Sequence, residues 1–336
     1  MGLMSLLVRS AITGVERFYP ERVITNDDLS KVVDTNDEWI QTRTGIKERR
    51  RVKKGQASSD LAAEAIEKLL RRTQTDVLDV DLIIVGTVTP DMMFPSTACQ
   101  IQKKIGAKNA WGFDLSAACS GFLFSLGTGD QYVLGGKYKK VIVVGVDVMS
   151  SIVDPQDRNT CVLFGDGAAA VMLEQIPEGT QLGILDFIHR TDGNGGEYLY
   201  MPAGGSLNPA SAETLEKRMH YVHQEGKQVF KYAVNEMANI SEEILEKNGF
   251  KPEDVDLFVP HQANLRIIES CQKRLGLPDS KVMVNIGKYA NTTAATIPSC
   301  LAMAVEDGRL KKGDLVLLAS FGAGFTWGAT LLRWAY

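Results

Sequence analysis

Four stretches of the chain are almost unbroken runs of apolar residues: VDLIIVGTV (80–88), KVIVVGVDV (140–148), VDLFVP (255–260) and DLVLLASFG (314–322). Val, Ile and Leu in succession, without polar alternation, predict strands covered on both faces, as in layered α/β folds. Between them, apolar residues recur at helical spacing in SDLAAEAIEKLLRRT (59–73), VNEMANISEEILEKNGF (234–250) and NLRIIESCQKRLGL (264–277). In the last, Leu265, Ile268 and Leu275 stand among polar residues, and Gly276 with Pro278 ends the helix. Residues 189–211 are rich in Gly, Asn and Pro and predict a long loop, of the kind that covers a substrate tunnel.

The predicted elements repeat. DVDLIIV begins at Asp79 and DVDLFVP at Asp254, 175 residues apart; Val141 and Leu315 open the next matching strands, 174 apart. Two matches at nearly one offset, in one order, predict two fused copies of an α/β unit. The halves are expected at 1–178 and 179–336, which suits a chain of 336 residues, too long for one ordinary core.

That duplication places chemistry, because ligands in such folds gather beyond the carboxyl ends of the strands. His261 directly follows VDLFVP. Cys119 lies in DLSAACSGF, between a predicted strand and helix, and Asn291 lies in the matching turn of the second half. The three are expected to meet at one pole. The small neighbours of Cys119 let a backbone or substrate come close. A helix N-terminus and an imidazole both lower a thiol from its usual value near 8.5. Such a thiolate forms a covalent acyl-enzyme. The Cys119 N–H, with another from SFGAGF (320–325), would hold the oxyanion, and Asn291 and His261 carry N–H donors suited to an enolate. Read alone, Cys119 suits an inert packed thiol equally well.

Composition narrows the class. A formal charge of −4 argues against non-specific nucleic-acid binding. The five cysteines form no C-x-x-C pair, and the four histidines lie far from them in sequence. Neither a disulfide framework nor a zinc site is expected, and the compartment is read as a reducing cytoplasm. Cys99, Cys161, Cys271 and Cys300 are read as packing residues. The opening MGLMSLLVRSAITG is too short in apolar residues for a leader, and Leu6 breaks the myristoylation pattern. No apolar run reaches the ~20 residues of a membrane span, so no membrane partner is expected.

Eight segments then carry a resemblance: NDEWIQTRTGIKER (36–49), TPDMMFPSTACQIQ (89–102), FDLSAACSGF (113–122), LFGDGAAA (163–170), VFKYAV (229–234), PHQANLRII (260–268), ANTTAATIP (290–298) and SFGAGFTWGA (320–329). In this order they resemble, end to end, the β-ketoacyl-[acyl carrier protein] synthase III family of the thiolase superfamily. The resemblance implies a thiolase-like α/β fold whose duplicated halves form a five-layered αβαβα core. It implies decarboxylative condensation of an acyl-CoA primer with malonyl-[acyl carrier protein], through an acyl group on Cys119, at the start of type II fatty acid synthesis. His261 and Asn291 would stabilise the enolate, with His261 neutral. Acyl-CoA and malonyl carrier protein are then substrates, and no cofactor or metal is required. Ala323 replaces a glycine the family usually shows in the oxyanion loop; a main-chain N–H suffices there.

The resemblance further implies that Trp39 and Arg158 sandwich the adenine of CoA, with Thr35 and Arg43 near the nucleotide and its phosphates. Phe94 would cross a homodimer interface to close the partner's acyl pocket. Asn264 would support the site beside His261. Arg266 would dock the acidic carrier protein, with Lys273 and Arg274 on the same helical face and Lys231 nearby. Two alternatives stay open. One is a same-fold condensing or acyl-transfer enzyme of a secondary-metabolite pathway. The other is a cysteine acyltransferase or hydrolase, since Cys, His and Asn also serve papain-like proteases.

Overall fold

The computed structural model describes residues 9–177 and 179–336. The leader and lipidation readings rest on residues 1–8, and the proposed boundary falls on 178; both lie outside the described residues. Two sheets form the frame. The first holds β1 (Arg9–Phe18), β2 (Leu82–Gly86), β3 (Trp111–Leu115), β4 (Lys140–Val148) and β5 (Asp166–Ile176), in the order β1-β5-β4-β2-β3. The second holds β6 (Gly183–Thr191), β7 (Leu257–Pro260), β8 (Leu315–Gly322) and β9 (Thr326–Arg333), in the order β7-β8-β9-β6.

The apolar runs fail to alternate because both faces of each strand are covered. In β2, Ile84 turns inward and Ile83 outward; in β7, Val259 turns inward and Phe258 outward. Outside the first sheet lie α2 (Ser58–Thr73) and α3 (Thr97–Ile105), whose Leu61, Ile66 and Ile101 meet Ile83 and Ile142. Between the sheets lie α4 (Gly121–Leu134) and α7 (Thr296–Glu306), with Phe122, Leu126, Ile297 and Leu301 against Ile84, Val143, Val259 and Leu318. Outside the second sheet, α5 (Gly226–Lys247) and α6 (Leu265–Leu275) pack Met237, Ile244 and Ile268 on Phe258 and Leu317. The layers are thus αβαβα. Each fully buried Leu or Ile contributes about 1.5–3 kcal/mol, so the two central helices are held from both sides.

The pairing registers sharpen the repeat. Leu82 faces Val141 and Leu257 faces Val316, both in parallel. Each pair is therefore 175 residues from its counterpart, where the run beginning at Leu315 suggested 174. A single bridge, Phe258 to Val282, stands where the first sheet has β3.

Some expectations are corrected. α5 starts at Gly226, eight residues before the predicted 234. Its opening turns have no side-chain cap at Glu225, and Val229 and Phe230 are only partly buried, so their periodicity is muted. The predicted loop at 189–211 contains the end of β6, a 3₁₀ turn at Gly193–Tyr198, and the pair Leu199–Tyr200, bonded to His223–Gln224. Cys99 is exposed on α3, whereas Cys161, Cys271 and Cys300 are buried. Among the described residues, no helix is long and apolar enough to cross a membrane.

Candidate active site

β3 ends at Leu115 and α4 begins at Gly121, so the chain reverses within five residues. Ala118 takes φ +48°, a left-handed conformation that a small side chain bears best. Cys119 follows, 8% exposed, one residue before Ser120 at the N-cap of α4. The end of β8 presses on this turn: a Cβ on Gly322 would stand 2.7 Å from the Cys119 nitrogen. Ser120 Oγ donates to the Thr326 carbonyl at 3.0 Å and accepts from Ser320 Oγ at 3.0 Å, stitching the turn to the second half.

His261 comes one residue after β7, and its N–H donates to the Ala319 carbonyl at 2.8 Å. Its ring is buried. Nδ1 lies 2.7 Å from Thr296 Oγ1, which itself lies 3.0 Å from the Thr293 carbonyl. One hydroxyl proton serves one of these two acceptors. When it goes to Nδ1, Nε2 carries the ring proton. Nε2 is buried and has no partner among the described residues. Burial depresses the imidazole to about 3, so the ring is neutral at physiological pH.

Asn291 is fixed at its backbone: its N–H donates to the Leu163 carbonyl and its carbonyl accepts from the Gly165 N–H, both at 3.0 Å. Its Oδ1 accepts the Thr293 N–H at 2.8 Å. The amide hydrogens have no partner among the described residues and are left for the cavity that Asn291 shares with Cys119.

Two cavities meet at Cys119. One, of about 80 Å³, is bordered by Cys119, His261, Asn291, Asn264 and Phe230. The other, of about 150 Å³, is apolar, with Met149, Ile152, Met201 and Val222 at its walls and Ala323 beside Cys119. The three residues drawn from different loops thus share one cavity, and Ala323 borders the second one, with Cys119 common to both.

The expected depression of the Cys119 thiol is not found. Burial, aided by the negative charge of Asp147, pushes it up to about 12, against the pull of the Asn291 amide. The helix N-terminus was visible in the sequence; the desolvation is tertiary and was not. At rest the residue is a thiol, and its proton must leave during attack.

The residues expected at the nucleotide gather around α1 (Asp37–Thr44). The Arg158 guanidinium stands 5.0 Å from the Trp39 ring centre, and that of Arg43 stands 5.8 Å away. A ring between Arg158 and Trp39 needs about 7 Å, two van der Waals contacts, so the slot is closed. Arg158 is held there by the Asp34 carbonyl at 2.9 Å. The Thr35 hydroxyl is buried with no partner among the described residues. Asn264 caps α6, accepting from the Arg266 N–H at 2.9 Å, and donates to the Arg43 carbonyl at 3.0 Å. It therefore ties α1 to α6, the helix behind His261.

Phe94 borders neither cavity in its own chain and is 84% exposed. Lys231, Arg266 and Lys273 are exposed, with Arg266 stacked 5.1 Å from the Phe230 ring centre at the cavity mouth. Arg274 leaves the expected basic patch: its Nε donates to Glu242 at 2.9 Å, which offsets its charge. Thr296, Thr293 and Gly322 were not singled out in the sequence. The first two stood inside ANTTAATIP, but their partners are set by the fold.

Comparisons with known proteins place the chain. Residues 113–193 match the family model for 3-oxoacyl-[acyl-carrier-protein] synthase III, and residues 245–334 match the model for its C-terminal part. The β-ketoacyl-[acyl-carrier-protein] synthase III of Koribacter versatilis is 56% identical, over 99% of this chain and all of its own length. That of Solibacter usitatus is 55% identical, over 98% of this chain and 99% of its own. The crystal structure of 3-oxoacyl-[acyl-carrier-protein] synthase III from Aquifex aeolicus superimposes with a TM-score of 0.88 at 44% identity, covering 97% of this chain and all of that one. With models over both halves and relatives along its whole length, the chain belongs to the β-ketoacyl-[acyl-carrier-protein] synthase III family.

Proposed function

We propose that the protein condenses an acyl-CoA primer with malonyl-[acyl carrier protein], releasing CoA and CO2 and giving a 3-oxoacyl-[acyl carrier protein], the first step of type II fatty acid synthesis. The observation that carries this reading is the shared border of Cys119, His261 and Asn291 on one cavity, with an apolar cavity behind the thiol. Cys119 Sγ attacks the primer thioester, and CoA leaves as the thiol with the proton that Cys119 gives up. The main-chain N–H groups of Cys119 and Ala323 receive the oxyanion, and the acyl chain enters the apolar cavity. Malonyl carrier protein then loses CO2; the electron pair left behind becomes an enolate held by Asn291 Nδ2 and by Nε2–H of neutral His261. The enolate carbon attacks the acyl-Cys119 carbonyl, and Cys119 leaves as the thiolate and takes up a proton from solvent, which restores the resting thiol.

Loss of CO2 supplies the driving force, and neutral donors hold the enolate, so the residues need no redox group or metal. The cytoplasm suits five free thiols. Trp39, Arg158, Thr35 and Arg43 hold CoA once Arg158 swings off the indole. A second copy of the chain is proposed to pair along β3, an edge strand with Trp111 42% exposed, bringing the partner's Phe94 over the acyl cavity.

Incubation with acetyl-CoA or a branched acyl-CoA and malonyl carrier protein is expected to release CO2 and ketoacyl product together. CoA release with neither would instead mark a hydrolase. Carrier-protein docking makes a separate prediction. Arg266→Glu reverses charge at the cavity mouth and is expected to raise KM for malonyl carrier protein at least tenfold, about 1.4 kcal/mol, while KM for acyl-CoA stays put. Joint Arg274→Gln and Glu242→Gln, which removes both charges of the pair and leaves the local sum at zero, is expected to change it far less. Steady-state kinetics with each substrate varied will check both.

A further inference from the structure

Asp147, at the end of β4, is fully buried and has no part in the chemistry above. Its Oδ1 accepts from Val88 N at 2.8 Å, Thr89 N at 3.1 Å, and the Thr87 and Thr89 hydroxyls at 3.0 Å each. Its Oδ2 accepts from the Thr293 hydroxyl and, at 3.4 Å, from Ala294 N. The Thr87 hydroxyl already accepts from Thr89 N, and the Thr89 hydroxyl from Val148 N, so both have protons to give. Burial raises the carboxyl, and these bonds oppose it. Every group that touches it is a donor, so the site fits the carboxylate.

Thr293 shows what the carboxylate holds. Its φ is +50°, a sparsely populated region for a β-branched side chain. Such a conformation persists only where its surroundings over-determine it. The hydroxyl reaches back to Asp147 across the two halves, and in that conformation the Thr293 N–H donates to Asn291 Oδ1. An amide held at its oxygen presents its nitrogen to the opposite side, where Cys119 lies.

We infer that Asp147 is a positioning residue of the condensation, acting through the Thr293 hydroxyl to fix which way round the Asn291 amide stands. Resting on the condensing reading above, this assigns to one half of the chain control over a donor carried by the other. Without the link, Asn291 is free to turn its oxygen toward the enolate, and a repelling lone pair replaces a donor.

The test uses the full-length enzyme with acyl-CoA and malonyl carrier protein. Thr293→Val keeps the shape and removes the hydroxyl. It is expected to lower kcat about 10²-fold, the effect of losing one oriented donor, with KM for acyl-CoA unchanged. Thr293→Ser keeps the hydroxyl and is expected to keep most of kcat. Added to Asn291→Ala, Thr293→Val is expected to cost nothing further, because the residue through which it acts is gone. Thr293→Gly accepts the left-handed backbone, so it stays informative if the valine variant fails to fold, and it is expected to lose kcat likewise. Wild-type kcat in a folded Val or Gly variant, or additive losses in the double variant, would overturn the inference. Absence of ketoacyl product from the wild-type enzyme would overturn both this inference and the condensing reading, which separates the two failures.

Discussion

Cys119→Ala is expected to abolish ketoacyl product, by roughly 10⁴-fold or more, as removal of a covalent nucleophile does. The loss is confined to one half-reaction. His261 and Asn291 reach the first cavity from other loops, so the variant is expected to keep decarboxylating malonyl carrier protein. Trp39 stands on α1 and Arg158 opens the short helix Arg158–Cys161, neither bordering the cavities at Cys119, so CoA binding is expected to be unchanged. Labelled CO2 release, acyl-enzyme mass and CoA titration measure the three quantities separately. Acyl transfer persisting in Cys119→Ala, or decarboxylation vanishing with it, contradicts the division of labour. The buried thiol adds a pH signature. With its pKa near 12, alkylation of the free enzyme by iodoacetamide is expected to climb tenfold per pH unit through pH 8–10, where an ordinary thiol levels off.

His261→Ala is expected to lower malonyl decarboxylation by about 10²–10³-fold, as loss of an oriented donor does, while acylation of Cys119 suffers less. The wild-type pH profile is the sharper measurement. A histidine at the ordinary 6.5 would charge below that pH and remove the neutral ring tenfold per unit. Held near 3 by burial, His261 stays neutral, so the half-reaction is expected to run flat from about pH 8 down to pH 5. An acid limb at 6.5 in the wild type, absent from His261→Ala, would contradict it. The same depression costs stability. The unfolded chain binds a proton that the folded one refuses, so stability falls as pH drops from 6.5 toward 3.

The layered core was legible because its central strands are covered on both faces: Ile83 and Ile84 serve opposite layers, and no polar alternation obscured them. The pole carrying Cys119, His261 and Asn291 followed from the repeat, since position after a strand end is inherited with the strand. What failed to show was whatever depends on a distant partner. Arg274 reads as free charge until Glu242 arrives from α5. The gap expected between Trp39 and Arg158 closes because the Asp34 carbonyl draws Arg158 onto the indole. Asp147 sits in an apolar run as one more buried position, and Thr293, 146 residues away, reveals its use only through a φ angle. The pKa of Cys119 failed for the same reason, because a helix N-terminus is local and desolvation is not.

Gly322 has a further consequence. A Cβ there would stand 2.7 Å from the Cys119 nitrogen, and one on Gly145 would stand 2.2 Å from the Ala294 carbonyl oxygen. In both places backbone meets backbone, so no rotamer change can relieve an added methyl. The walls around Met149, Ile152, Met201 and Val222 are side chains, which can be exchanged for larger or smaller ones at modest cost. The two parts therefore tolerate substitution differently. The apolar cavity can change size by exchange of single side chains, while the seam between the halves admits almost none, so the volume behind the thiol can vary without moving the thiol itself.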